Sequence, residues 1–140
     1  MTLKFLDKNT ALKLLGQELI NHSVVISDPN LRDCPMVFVS KEFSLQTGYS
    51  EKESLGRNCR FLQGPETDPN DIDHIRMAIK LKKKITIDIL NYKKNGEKFW
   101  NRLRIRPLYD EKGEVFFFAG DQNPIKEEEV RRYTFNKILD

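Results

Sequence analysis

Residues 56–67 read Gly-Arg-Asn-Cys-Arg-Phe-Leu-Gln-Gly-Pro-Glu-Thr, and this stretch carries the densest chemistry in the chain. Within it the thiol of Cys59 lies between Asn58 and Arg60, two side chains that can bind a polar, anionic ligand. Gln63 follows one helical turn later, so on a short helix its amide lies on the same side as the thiol. A nucleophilic atom held among groups suited to a phosphorylated ligand indicates a cysteine directed at a cofactor.

The length and composition are those of one globular domain. A chain of 140 residues that is 39% hydrophobic and 32% charged can bury a core, so disorder throughout is not expected. The net charge is only +3, and the basic cluster of Lys80 and residues 82–84 contains no aromatic residues. We interpret that cluster as a solvated connection and expect neither nucleic acid nor membrane as a partner. No apolar run approaches the ~20 residues that cross a bilayer, and no signal peptide is evident, so we expect a cytoplasmic protein.

Cysteine and histidine usage argues against a disulfide and against a metal site. The two cysteines are Cys34 and Cys59, and a cytoplasmic setting disfavours a bond between them. His22 and His74 stand alone, and no Cys/His group has the spacing of metal ligands.

The hydrophobic pattern predicts five strands, over residues 23–27, 36–39, 85–92, 97–106 and 114–122. Asn95-Gly96 is a strong signal for a tight hairpin between the third and fourth strands.

Helices are predicted before, between and after these strands. Residues 3–20 form an amphipathic helix in which Thr10 caps a second segment, and Ser50 with Glu53 forms a capping box. A longer helix is predicted over residues 69–83, and a terminal one begins at Pro124. The inward residues of the longer helix are Ile72, Ile75, Ile79 and Met77, and those of the terminal helix are Val130, Tyr133 or Thr134, and Ile138.

This order of elements predicts the fold class α+β, a five-stranded antiparallel sheet with helices on one face and a helical segment at each end. The boundaries are an N-terminal flank at 1–22, a core at 23–123 and a C-terminal flank at 124–140.

Three carboxamides face the concave, otherwise apolar side of this sheet. Period-two spacing places Asn91 on the face of Ile85, Ile87 and Ile89, and Asn101 beside Phe99, Leu103 and Ile105. Gln122 shares its face with Phe116, Phe118 and Gly120. A buried amide without partners costs about 1–3 kcal/mol, so each either finds water or backbone near a strand end or binds a ligand. Because three converge with Cys59, we favour a bound heterocycle, for which Gly120 leaves room.

The same residues resemble the flavin-binding signature of LOV (light-oxygen-voltage) domains, such as those of phototropins, which form the blue-light-sensing branch of the PAS fold. The resemblance spans residues 23–123 and includes Asn-Tyr at 91–92 and Gly-Glu-Lys-Phe-Trp-Asn at 96–101. It implies a PAS-like sheet and a non-covalently bound FMN.

The resemblance also implies a role for each site residue. Asn91 and Asn101 would hold the polar end of the ring and Gln122 would face flavin N5 and O4. Asn58 and Gln63 would contact the ribityl chain. Arg60 and Arg76 would contact the phosphate. The residues implied to pack the ring are Val25, Leu62, Ile75, Ile79, Leu103, Ile105 and Phe118.

Four positions depart from that family pattern. Asp73 stands where many members carry a second phosphate-binding arginine, so we expect some riboflavin beside FMN. Cys34 replaces a frequent Asn, Leu103 a frequent Phe, and Asp121 an apolar residue on the outer face of the last strand.

The function implied is that of a blue-light photoreceptor module. Cys59 would form a reversible bond to flavin carbon C4a, and the signal would leave through Gln122 to the flanking helices or to contacts in a homodimer. The downstream protein partner is left open. A light-insensitive PAS sensor of flavin, redox state or another ligand is the alternative. An enzyme is not expected, because the sequence has no dinucleotide fingerprint and no acid/base pair.

Overall fold

An antiparallel sheet forms the centre of the protein, whose computed structural model describes residues 3–19 and 21–132. Its strands run in the order β2-β1-β5-β4-β3. A short strand β6, which follows β5 in the chain, also pairs with β4. The strands are β1 (Ser23–Ser27), β2 (Met36–Val39), β3 (Ile85–Tyr92), β4 (Lys98–Tyr109), β5 (Val115–Gln122) and β6 (Pro124–Ile125). The predicted bounds of β1, β2 and β3 are confirmed, whereas β4 continues to Tyr109, beyond its predicted end at Arg106.

The register of the sheet brings the predicted inward residues onto one face. Ile89 lies opposite Asn101 in the β3–β4 hairpin, and Ile105 lies opposite Gly120 between β4 and β5. The β3–β4 hairpin turns at Asn95-Gly96 as predicted, with the Asn95 side chain accepting a hydrogen bond from the backbone of Glu97 at 2.9 Å.

Four α-helices and three 3₁₀ turns are found in the described residues. The α-helices are α1 (Lys8–Leu15), α2 (Lys41–Thr47), α3 (Glu51–Ser54) and α4 (Pro69–Lys80), and the 3₁₀ turns are Gln17–Leu19, Cys59–Leu62 and Glu127–Glu129. The predicted capping box starts α3: the Ser50 hydroxyl accepts from the Glu53 amide at 3.1 Å, and the Glu53 carboxylate accepts from the Ser50 amide at 3.0 Å.

Three helix boundaries differ from the prediction. The first helix ends at Leu15 rather than at residue 20, because Gly16 has a positive φ of 101°. The first helix begins at Lys8 rather than near residue 3, because Asp7 and not Thr10 is its N-cap and accepts from the Thr10 amide at 2.8 Å. Helix α4 ends at Lys80 rather than at residue 83, because Lys82 has a positive φ of 57° that no α-helix continues. Met77 on α4 is 49% exposed, so its predicted inward position is wrong.

The segment after β5 also differs from the prediction. Pro124 begins the two-residue β6 instead of a helix, because Asn101 and Trp100 of β4 pair with Pro124 and Ile125. The 3₁₀ turn at Glu127–Glu129 is the only helical piece within residues 124–132, and Val130 lies just after it. The predicted positions of Tyr133, Thr134 and Ile138 fall outside the described residues.

Apolar layers cover both faces of the sheet. Helix α4 packs against β3, β4 and β5 on the inner face, and α2 covers β1 and β2 on the same side. Helix α1 packs against the outer face, where Ala11 and Leu15 meet Val24, Ile26 and Ala119. The N-terminal flank is therefore held by apolar contacts together with hydrogen bonds from the Leu6 amide to the Val37 carbonyl at 2.9 Å and from Arg106 to the Leu15 carbonyl at 3.1 Å.

The close approach of Gly64 to β3 generates a test of this fold. A methyl group at position 64 would overlap the ring of Tyr92, whose hydroxyl is held by the Glu66 amide at 2.9 Å. Gly64→Ala should therefore lower the free energy of unfolding by about 1–3 kcal/mol, measured by urea denaturation. The control Glu66→Ala, which removes only an exposed ion pair with Lys98, should change it by less than about 1 kcal/mol. Equal stability of Gly64→Ala and the wild type would contradict the contact.

Candidate functional site

A cavity of about 360 Å³ lies between the inner face of the sheet and the segment that contains Cys59 and α4. Strands β1, β3, β4 and β5 form one wall, and the Cys59–Leu62 turn with α4 forms the opposite wall. The helical isoleucines Ile72, Ile75 and Ile79 are only partly buried, because their side chains end at this space.

The cavity collects almost the whole set of residues selected from the sequence. Fifteen of them line it: Val25, Asn58, Cys59, Arg60, Leu62, Gln63, Ile75, Arg76, Ile79, Asn91, Leu103, Ile105, Phe118, Gly120 and Gln122. Asn101 does not line it and lies behind the wall with 0% of its surface exposed, so its predicted direct exposure to a ligand is not seen. Phe116 also differs from its predicted face, since it packs beside the outer layer around α1.

Several lining residues were missed as site residues. The sequence predicts Ile72 and Ile89 on the inner face, and the same helical and period-two spacing is enough to assign them to the cavity. The others are Ser27 and Ala119 in the strands and Pro29, Leu31, Asp33 and Cys34 in or beside the β1–β2 loop. No periodicity governs a loop, so nothing in the sequence pattern marks those four.

The thiol of Cys59 is neutral in this environment. Cys59 begins a 3₁₀ turn that Asn58 caps by accepting from the Arg60 amide at 2.9 Å. Burial raises the pKa of the Cys59 thiol to about 12, with a smaller contribution from Cys34. Burial likewise raises the pKa of Cys34 to about 11, with the carboxylates of Asp28 and Asp33 adding to it. Both thiols therefore stay protonated at neutral pH, and neither is a ready nucleophile.

The three predicted carboxamides form one hydrogen-bonded network. The Asn101 amide nitrogen donates to the Gln122 oxygen at 2.6 Å and to the Asn91 oxygen at 3.0 Å. The network also reaches the main chain, because the Asn101 side-chain oxygen accepts a hydrogen bond from the Asn123 backbone amide at 2.9 Å. Asn91 and Gln122 thus reach the cavity while Asn101 holds both from behind.

Charged residues lie at the end of the cavity near the β1–β2 loop. The Arg60 guanidinium donates to both oxygens of Asp33 at 2.7 and 2.5 Å, and the Asn58 amide donates to the Asp33 carbonyl at 2.8 Å. The hydrogen bonds from Arg60 lower the pKa of Asp33 below its ordinary value. Arg76 donates to Asp73 at 3.2 Å on the exposed surface of α4.

The main chain beyond β5 is fastened to the outside of the sheet. The Asn123 side-chain amide donates to the Arg102 backbone carbonyl at 3.0 Å, and the Arg102 backbone amide donates to the Asn123 backbone carbonyl at 2.7 Å. The Arg102 guanidinium binds the Asp88 carboxylate at 2.8 and 3.1 Å and the Glu129 carbonyl at 2.9 Å.

Asp88 and two aspartates near the start of α4 hold the end of this segment. Burial alone would raise the pKa of Asp88, but its bonds to Arg102 and to the Arg131 amide outweigh burial and hold that pKa below its ordinary value. Arg132 then binds Asp68 at 2.9 Å and Asp71 at 2.8 Å. Residues 123–132 are thereby tied to β3, β4 and α4 at once.

Two other kinds of feature are absent from the described ranges 3–19 and 21–132. No group of three or more His, Cys, Asp or Glu side chains is placed to hold a metal ion. No described helix is both long enough and apolar enough to span a membrane.

Known proteins resemble this chain in sequence and in fold. A family model described as a PAS domain matches residues 21–120. The chain is 50% identical over 105 residues to phototropin-2 of Oryza sativa subsp. japonica, a match that covers 75% of this chain and 12% of that protein. It is 47% identical over 105 residues to a blue-light-activated histidine kinase of Brucella anthropi, covering 75% of this chain and 21% of the kinase. The chain belongs to the PAS family.

Similarity to solved structures identifies which kind of PAS domain this chain is. The dark structure of the blue-light photoreceptor Aureochrome1 LOV superposes with a TM-score of 0.77 at 40% identity, covering 92% of this chain and 91% of that one. Within the PAS family the chain is a LOV domain. It spans about an eighth of phototropin-2 and about a fifth of the Brucella kinase.

The raised pKa values of the two thiols can be tested directly. In darkness at pH 8, Cys59 and Cys34 should react with iodoacetamide at least about 10-fold more slowly than a small thiol of ordinary pKa, because the thiolate is the reactive form. Peptide mass spectrometry over time measures each site, and the same protein in urea should lose the protection. Fast alkylation of folded Cys59 at this pH would contradict its burial as a neutral thiol.

Proposed function

We propose that this LOV domain binds FMN and senses blue light through a reversible bond between Cys59 and the flavin. The observation that carries the proposal is the placement of the Cys59 thiol on one wall of a cavity whose opposite wall presents Asn91 and Gln122. The names of the relatives, a phototropin and a blue-light-activated kinase, support light as the input.

The residues of the cavity fit a flat, partly polar heterocycle. Its volume of about 360 Å³ lies within the range of small-ligand sites. A side chain at position 120 would meet Val25 at 3.3 Å and the Gln122 amide at 3.5 Å, so Gly120 keeps that wall flat. Leu62, Leu103 and Ile105 supply apolar surface for the faces of a ring. Asn91 and Gln122 offer both donors and acceptors to its edge.

Cys59 would act as a reagent that carries both a sulfur atom and a proton. When bound, the flavin supplies a light-excited ring whose carbon C4a accepts the sulfur and whose N5 accepts the proton, in a bond that reverses in darkness. A neutral thiol suits this chemistry, because the raised pKa of Cys59 keeps its proton on the sulfur until it is needed. The same raised pKa protects the thiol from unwanted alkylation and oxidation.

Gln122 would report the change at N5 to the main chain. Its amide touches the cavity, and its oxygen accepts from Asn101 at 2.6 Å. If Gln122 turned its oxygen towards a newly protonated nitrogen, Asn101 would lose this acceptor. The Asn101 side-chain oxygen also accepts from the Asn123 backbone amide, so the disturbance would reach the first residue after β5 through the Asn101 side chain alone.

FMN is favoured over FAD by the shape of the chain beyond Cys59. Arg60 and Arg76 line the end of the cavity and offer guanidinium groups for a terminal phosphate. The connection from Gly64 to α4 is short and is closed by the Thr67 hydroxyl, which accepts from the Gly64 amide at 3.0 Å. This leaves no loop to cover an adenine.

Replacing the thiol should separate binding from photochemistry. Cys59→Ala should keep the flavin, because the rest of the cavity is unchanged, and should abolish the reversible loss of the flavin absorption band under blue light. Absorption spectra before, during and after illumination measure this, and mass spectrometry of the released chromophore should identify FMN in both proteins. Cys34→Ser is the matched control and should still bleach and recover.

The opposite outcomes have distinct meanings. Persistent reversible bleaching in Cys59→Ala would show that Cys59 is not the reacting thiol. A wild type that is yellow but never bleaches would instead indicate the alternative, a light-insensitive PAS sensor. FAD as the main chromophore would overturn the assignment of FMN.

The relay through Gln122 predicts a second variant. Gln122→Leu should still bleach, but light should no longer change hydrogen exchange in residues 3–19 and 123–132 or the size-exclusion profile, because leucine cannot exchange donor for acceptor. Gln46→Leu is the matched control: Gln46 lies on α2 away from the cavity lining, and this variant should respond like the wild type. Equal light responses in Gln122→Leu and the wild type would exclude Gln122 as the relay.

A further inference from the structure

The end of the cavity that would receive a phosphate carries carboxylates beside its arginines. Arg60 and Arg76 line it as the cations, and each is already paired with a carboxylate, Asp33 and Asp73 respectively. Asp33 lines the cavity and Asp73 lies beside it on α4, so the two carboxylates weaken the positive potential that the arginines would present to a phosphate dianion.

The pair between Arg60 and Asp33 uses the guanidinium in its strongest mode. Two parallel hydrogen bonds at 2.7 and 2.5 Å join the two planar groups, the fork geometry by which arginine would also grip a phosphate. A phosphate that takes this edge of Arg60 must first displace Asp33. A phosphate that takes another edge of Arg60 remains close to the Asp33 carboxylate and is repelled by it.

Asp33 is held in place by contacts other than its ion pair. Its carbonyl accepts from the Asn58 amide at 2.8 Å, and the next residue, Cys34, donates its backbone amide to the Leu31 carbonyl at 3.1 Å. Asp33 and Cys34 both have positive φ, at 66° and 47°, so this loop has a specific folded conformation. The main chain therefore keeps the Asp33 carboxylate beside Arg60.

Asp73 acts in the same direction from the other side of the cavity end. It lies within the same helical turn as Arg76 and contacts it at 3.2 Å, with both side chains largely exposed. An exposed pair of this kind is weak, but it places a negative charge next to the second candidate phosphate ligand.

We propose that this domain binds riboflavin nearly as tightly as FMN, because Asp33 and Asp73 neutralise the two arginines that would otherwise select the phosphate. The proposal rests on the proposed function, since it concerns the flavin of the same cavity. It assigns Asp33 and Asp73 as the residues that set flavin selectivity.

Competition between the two flavins tests the proposal. The 140-residue chain is equilibrated in darkness with a large excess of FMN and riboflavin in equal amounts and is then freed of unbound flavin. Its bound flavins are quantified by chromatography. In the wild type the ratio of bound FMN to riboflavin should stay below about 10. Asp33→Asn and Asp73→Asn should each raise that ratio at least about 5-fold, because each releases an arginine for a charge-assisted contact.

Matched variants keep the result specific. Asparagine tolerates the positive φ of position 33 and retains the carbonyl that Asn58 contacts, so Asp33→Asn preserves the loop. Position 73 is exposed on α4, so Asp73→Asn tests the effect of the second carboxylate on flavin selectivity without destabilising the fold. Glu97→Gln removes one negative charge and an exposed pair with Lys93 far from the cavity lining, and it should leave the ratio within about 2-fold of the wild type.

Each result supports or overturns the proposal. A wild-type ratio above about 10 would overturn it, as would Asp33→Asn and Asp73→Asn ratios equal to that of the wild type. A rise in Glu97→Gln as large as in these two variants would reduce the effect to net charge and would also overturn it. Failure of both flavins to bind would overturn the proposed function and this inference together, a result distinct from tight and selective binding of FMN.

Discussion

The carboxamide of Asn101 is the contact on which the rest of the site depends. It is fully buried, and its nitrogen and oxygen together hold Asn91, Gln122 and the Asn123 amide at 2.6 to 3.0 Å. Two of these partners reach the cavity, and the third is the first residue beyond β5. A buried amide that lost its partners would cost about 1–3 kcal/mol, so this network fixes the side chains of the cavity wall and the path of the chain together.

The inner face of the sheet forms part of the hydrophobic core and also one wall of the cavity. Near α4 it is filled by Ala78, Ile85 and Ile87, which are almost fully buried. Towards Cys59 the filling stops, because Gly120 contributes no side chain and Ile75 and Ile79 end at the cavity. Each apolar side chain that borders the open space gives up contacts that a filled core would provide. A ligand that occupies this space would restore those contacts, so binding and stability of the domain are coupled.

How much the sequence could predict follows from how local the responsible forces are. The bounds of β1, β2 and β3 follow from alternation and turn residues, which act within a few positions. The wrong helix start at Pro124 has a non-local cause, since Asn101 captures the Asn123 amide and draws the next two residues into pairing with β4. Local helix signals cannot compete with such a bond. The alternation of side chains along a strand likewise placed Asn101 on the correct face of the sheet. That alternation does not show whether a side chain lines the cavity or supports its wall.

The loop between β1 and β2 was beyond prediction for a related reason. Asp33 and Cys34 carry no periodic signal, yet positive φ at both positions and the bond from Asn58 bring Asp33 to Arg60. The sequence motif around Cys59 identifies Arg60 as the cation, but only the folded loop brings the carboxylate of Asp33 beside it. A motif therefore identifies which groups surround a ligand, while the charge those groups present depends on partners far away in the chain.

The ion pair between buried Asp88 and half-buried Arg102 determines where the segment after β5 lies. Asp88 is 3% exposed, and removing one partner of such a pair leaves an unpaired buried charge at a cost of about 3–5 kcal/mol. The same two residues hold the Glu129 carbonyl and the Arg131 amide, so this attachment resists any movement that begins at Asn123. A single hydrogen bond changed at Gln122 contributes only about 0.5–1.5 kcal/mol, too little to break the pair. A signal that starts at Gln122 should therefore shift the chain between Asn123 and Lys126 most, and should alter its surroundings without breaking the charged attachment at Asp88.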